Sequence, residues 1–250
     1  TTATPAQNVP QLALQRVELE LSWMTLLAGE LRLSRLEVDR PELLIRRDAQ
    51  GAVQISGIPL TDQEQSTGTE LADLLLQQSR IVVRNAQISW LDEKKSAPLL
   101  VFKDVNLLIR NSWHHHRFAM RALPPAELAT QLDVRGDLFG NTFDDLQSWS
   151  GEIFTQLDYA DVAAWKAWLN LPAAFKRGKG ALRGWVGVED GKISQVTADL
   201  ALANVQTRLA EELPALEIRT LRGRMGWRNL EDGFEVATSN LAFQLYNGFE

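Results

Sequence analysis

Apolar and polar residues trade places one for one through most of the chain. Leu12-Ala-Leu14-Gln-Arg-Val17-Glu-Leu19-Glu-Leu21-Ser-Trp23 is the first such run, and a period of two is that of a strand buried on one side. Leu31, Leu33, Leu36 and Val38 carry the alternation on with one slip. Pro41 then pushes Arg40 toward extended backbone before Leu43-Leu44-Ile45. Asp48-Ala-Gln-Gly51 supplies a turn into Val53 and Ile55, so residues 12–58 read as an antiparallel meander.

Residues 59–68 have the composition of a surface loop. The capping-box spacing of Thr67 and Glu70, with Leu71, Leu74 and Leu75 on one face, predicts a short helix near 69–78. Strands resume with Ile81, Val83, Ile88 and Trp90, where Asn85 marks a bulge or turn, and the segment from Asp92 to Pro98 forms a hairpin loop. Val101, Val105, Leu107 and Ile109 predict one further strand, His116, Phe118 and Met120 another, and Leu132, Val134 and Leu138 a third.

A second unit opens near Trp149-Ser-Gly151, which divides the chain into segments 1–148 and 149–250. In it Ile153, Thr155, Leu157 and Tyr159 alternate, and Asp161 caps a helix over 161–170 bearing Val162, Trp165, Trp168 and Leu169. Strands then follow through Leu182, Val186, Val196, Leu200, Leu202, Ile218, Leu221, Met225, Val236, Phe243 and Leu245. The pattern predicts on the order of fourteen strands and two short helices, a mainly β, extended antiparallel sheet.

Each strand has one apolar side, so the sheet has a face that must leave water. Two short helices can shield only a few strands of it. A second sheet, closure into a barrel, and a non-protein apolar ligand in a curved trough are the remaining covers, and periodicity does not choose among them.

Composition narrows the chemistry. Twenty-six basic and thirty-two acidic residues give a net charge of −6, which disfavours nucleic acid as a partner. The absence of cysteine removes disulfides and thiolate metal sites. The three histidines are adjacent, His114 to His116, and a strand sends His115 to the opposite side from the other two, which argues for a solvated strand start and against a metal site. Asp144-Asp145 reads as the first turn of a helix behind Thr142, not as a catalytic pair. Gly178-x-Gly180-x-x-x-Gly184 reads as strand and lacks a phosphate-cradling helix start. No nucleophile elbow occurs either, so the expectation is no enzyme and no cofactor. Trp165 and Trp168 share a face and serve packing or cap the trough.

The stretch Leu36-Glu-Val-Asp39-Arg-Pro41-Glu-Leu-Leu-Ile45 leading to Gly51-Ala-Val-Gln-Ile55 resembles an element of AsmA-like proteins. Ile88-Ser-Trp90-Leu-Asp92, His115-His-Arg-Phe118, Trp149-Ser-Gly151, Leu171-Pro172, Gly178-Lys-Gly180, Trp185, Leu213-Pro214 and Leu221-Arg-Gly223 resemble the YhdP branch in order. The resemblance implies a curved β-taco with a hydrophobic interior, periplasmic and tethered to the inner membrane by an N-terminal helix outside this stretch. It also implies phospholipid as the partner, carried between inner and outer membrane, with other envelope proteins at the groove ends and membrane contact through regions elsewhere. On that reading the chain is an excerpt, and Leu19, Leu21, Leu36, Val38, Val105, Leu107, Leu200, Leu202 and Val236 line the groove. The alternative is an assembly role, in which a closed sheet offers an edge to outer-membrane protein partners.

Overall fold

The computed structural model describes residues 12–13, 16–21, 33–56, 58–59, 73, 75–142, 145–169, 176–208, 215–230 and 232–246. Fifteen strands belong to one sheet. The early strands are short: β1 (Leu12–Ala13), β2 (Arg16–Leu21), β3 (Leu33–Asp39), β4 (Glu42–Arg47), β5 (Val53–Ile55) and β6 (Ile58–Pro59). Long ones follow: β7 (Arg80–Asp92), β8 (Leu100–Ser112), β9 (His115–Leu123), β10 (Leu132–Phe139) and β11 (Ser150–Asp161). The last are β12 (Arg177–Glu189), β13 (Lys192–Thr207), β14 (Leu216–Leu230) and β15 (Gly233–Leu245).

From β7 to β15 every strand pairs antiparallel with the next in sequence, and the hydrogen-bonded ladder passes without a break from β10 to β11, across residue 149. The sheet is not closed into a barrel: β15 ends the path with β14 as its neighbour. This is the mainly antiparallel, open β architecture that the alternation predicts.

The first strands depart from the expected meander. β3 and β4 both lie parallel to β7, Leu36–Asp39 beside Ile81–Arg84 and Glu42–Arg47 beside Gln87–Asp92. They are one path along a single edge, interrupted at Arg40 and Pro41. Proline has no N–H to give the ladder, and Arg40 turns out of the extended region at φ 49°. The backbone bonds Arg40 N–H to Arg84 carbonyl and Gln87 N–H to Pro41 carbonyl keep both pieces attached across the break. Opposite it sits the predicted bulge, with Asn85 at φ 51° and the β7–β8 register shifting between Val83 and Ala86.

The helices shrink. Over 161–170 the structure has a 3₁₀ turn, Ala164–Ala167, instead of an α-helix. The i, i+3 spacing of Trp165 and Trp168 suits either geometry; Ala163, not Asp161, holds the N-cap position, and Asp161 Oδ1 accepts from the Ala164 N–H at 3.2 Å. In the segment 69–78 residues 73 and 75–77 are helical, and the expected cap at Thr67 lies outside the described residues. A second 3₁₀ turn, Leu146–Ser148, stands where a helix start was expected behind Thr142. Gly178, Gly180 and Gly184 lie in β12 as read.

Two clusters of buried apolar side chains stand out. Ala86, Val105 and Ala122 form one cluster, with Val83, Ile88, Phe102 and Met120 packed on it. Leu202, Val205 and Ile218 form the other, joined by Val162, Leu200, Leu216 and Leu221. Each coincides with a residue in left-handed backbone, Asp104 (φ 48°) beside Val105 and Asn204 (φ 54°) beside Val205. An extra residue in one strand bends it and raises the local twist, so the packed clusters mark where the sheet curls.

Candidate functional site

Register carries the alternation from strand to strand. Leu36 stands beside Ile81, and the row continues through Ile109, Phe118, Gly136, Ile153, Val186, Val196, Trp227 and Val236. Leu19 holds the matching position on β2, so the row crosses eleven strands without a charged residue. At the usual strand spacing it measures roughly 50 Å, and it runs across the strands. A parallel row joins Val38, Val83, Leu107, Met120, Val134, Thr155, Gly184, Ala198 and Met225. A third links Leu132, Leu157, Leu182 and Leu200.

The track is neither packed core nor open surface. Ile81 and Gly136 are buried, Ile109, Phe118, Ile153, Val186, Val196 and Trp227 half-buried, and Val236 is 57% exposed. Gly136 is required for its smoothness: a Cβ there would meet the Phe118 ring at 2.1 Å, so the ring lies flat across the glycine.

The nine expected lining residues fall into three groups. Leu36, Val38, Leu107 and Leu200 are half-buried members of the rows, and Val236 is the exposed end of the first. Val105 and Leu202 are buried within the two clusters at the bends. Leu19 pairs with Leu36 and Leu21 with Leu33 in the ladder. The row members Ile81, Ile109, Phe118, Ile153, Val186, Val196 and Trp227 were not singled out from the sequence, because only register shows that they form a line.

One rim is made of long connections tied together by tryptophan. The Trp168 indole N–H donates to the Pro98 carbonyl at 2.9 Å and that of Trp165 to the Leu128 carbonyl at 3.3 Å. Lys95 Nζ in turn donates to the Trp168 carbonyl at 2.6 Å, and the two indoles meet edge to face. The tryptophans therefore bind three neighbouring connections into one edge. Beneath the hairpin loop of Lys95, Asp92 is 1% exposed and accepts from the Arg47 guanidinium and from the Lys95 N–H, and Arg47 holds its carboxyl below the usual range.

At the other rim His116 corrects the expectation of a solvated strand start. It is 4% exposed, stacked on Trp149, with its ring nitrogens 3.0 Å from Asn111 Oδ1 and 3.2 Å from the Gly140 carbonyl. Burial pushes its pKa down from 6.5. His115 instead faces Asp137 at 2.6 Å and stacks on Phe139, and His114 is exposed in the turn. Among the described residues no three side chains that could hold a metal come together.

The opposite face is polar and ordered by charge. Arg121 and Arg135 both reach Asp133, Arg224 grips Asp199 with two bonds, and Arg84 pairs with Glu37. These arginines hold the three carboxyls below their ordinary range. Arg135 and Arg224 also lie over the rings of Phe154 and Trp185, so these two rings are covered by guanidinium groups.

Among the described residues no helix is long and apolar enough to cross a membrane. No curated protein and no solved structure matched the chain. The family model described as YhdP protein does match, over residues 2–250. With an open β sheet, one face apolar and the other charged, and a match over nearly its whole length, the chain belongs to the YhdP family, whose members are bridge-like proteins of the bacterial envelope.

Proposed function

We propose that this chain is a segment of an envelope-spanning lipid transport protein, its apolar face carrying phospholipid between the inner and outer membranes. The observation that carries the reading is the row from Leu36 to Val236: apolar, continuous, running across the strands, and mostly half-buried. A packed interior would bury such residues, whereas an acyl chain needs an apolar line with room beside it. Mobile chains lie along this track with their head groups at the wet rims, and the protein contributes a low-energy path, without catalysis. The setting is periplasmic, with inner-membrane tethering and partner proteins at the groove ends supplied by other parts of the protein.

Native mass spectrometry with lipid extraction tests this on the chain purified from a lysate that contains membranes. The expected result is bound phospholipid in the wild type and its loss in folded Leu107→Asp and Val196→Asp variants. A lipid-free, compact wild type would overturn the reading and favour an assembly role, in which the exposed strand β15 accepts a strand from an envelope partner.

A further inference from the structure

Across the polar face, arginines stand near acids: Arg121 and Arg135 at Asp133, Arg224 at Asp199, Arg228 at Glu235, Arg84 at Glu37. One rung instead sets three arginines side by side. Arg80 is the register partner of Arg110, and Arg110 is the partner of Arg117. All three are exposed, and none makes an ion pair among the described residues. The acid next in register, Asp137, is engaged by His115. Like charges directly opposite one another on a sheet are destabilising; Arg80 and Arg110 face only each other and Arg117, and the acids Asp137 and Glu152 follow beyond Arg117.

The same strand end carries exposed aromatic surface. Trp113 opens the turn 113–114 between β8 and β9, is 92% exposed, and adopts φ 54°. A bulky aromatic residue is uncommon in that backbone region, and here the conformation holds the indole out into solvent. Phe139, 49% exposed and stacked on His115, adds a second ring at the end of β10. Two exposed rings at the end of a row of three adjacent arginines match a lipid headgroup layer. The guanidinium groups meet phosphates, and the rings enter the interfacial zone that aromatic side chains favour.

We propose that the Trp113 end of the β8–β9 hairpin docks on a bilayer surface containing anionic phospholipid. The patch does not require the apolar track, because the arginines point from the other face. With a net charge of −6 the chain as a whole is repelled by such a surface, so attraction must come from this local group.

Flotation of the whole chain with vesicles provides the test. Binding is expected to vesicles of phosphatidylcholine mixed with phosphatidylglycerol, to be weak on phosphatidylcholine alone, and to fall with added salt. Arg110→Gln and Arg117→Gln should each lower partitioning about five-fold. Trp113→Ser should remove a component of tryptophan quenching by brominated acyl chains, while Arg219→Gln with Arg222→Gln should leave vesicle binding unchanged. Circular dichroism confirms that each variant is folded. Equal binding to both vesicle types, or full binding by a folded variant lacking Trp113, Arg110 and Arg117, would overturn the proposal. Capture by polyglutamate without vesicle binding would also overturn it and assign the patch to an acidic protein.

Discussion

β7 and β15 have the same length and similar alternating sequences, yet opposite surroundings. Along β7, Ile81, Val82, Ala86, Ser89 and Asp92 are buried, with β3, β4 and β8 packed alongside. Along β15 every residue is exposed, including Phe234, Val236, Leu241 and Phe243. Alternation therefore reports which side of a strand can be buried. Whether it is buried depends on neighbours on both edges and on a bend that brings side chains together.

The sharpest way to break this comparison is to place a charge at equivalent apolar positions. Val105→Asp puts a carboxylate into the closed cluster beside β7, and the expected loss is more than about 4 kcal/mol, or failure to fold. Val236→Asp on β15 should change stability by less than about 0.5 kcal/mol. Urea unfolding of both variants measures the contrast, and equal losses would show that β15 is covered in solution.

A smaller effect separates the rim of β7 from that of β15. Asp92→Ala leaves Arg47 without its carboxylate partner and frees the Lys95 N–H, so a loss of about 2–3 kcal/mol is expected. Arg228→Gln, which removes the exposed pair with Glu235, should cost less than about 1 kcal/mol.

The smallest effect is a two-stage acid response. Burial lowers the pKa of His116 in the folded chain, so its contribution is complete above the ordinary value of 6.5 and is lost as pH falls below it. The carboxyls of Asp92, Asp133 and Asp199 are also lowered, by arginine partners, and their contribution persists down to about 3.8 before it is lost. Denaturation midpoints measured across this range should show a shallow first step that disappears in His116→Phe. A midpoint that rises as pH falls below 6.5 would show that His116 is held as imidazolium.

Most strands were legible in the sequence because each is a local alternation, and the bulge at Asn85 was visible as a polar slip between Val83 and Ile88. The parallel attachment of β3 and β4 was not, since the partners lie some forty residues away and nothing local announces them. The apolar line was legible strand by strand, but its continuity depends on register. For the same reason Val105 and Leu202 read like their half-buried neighbours although they sit where the sheet bends. Trp113 gave no signal at all: its turn has neither the glycine nor the asparagine that left-handed backbone favours.

The open edge of β15 gives this architecture a property that a barrel lacks. In a barrel, the number of strands sets the diameter, so every added hairpin changes the bore. Here the strands pair side by side along an open path, and an added hairpin would lengthen the sheet across its strands. Extent across the strands and extent along them become separate variables, set by strand number and by strand length.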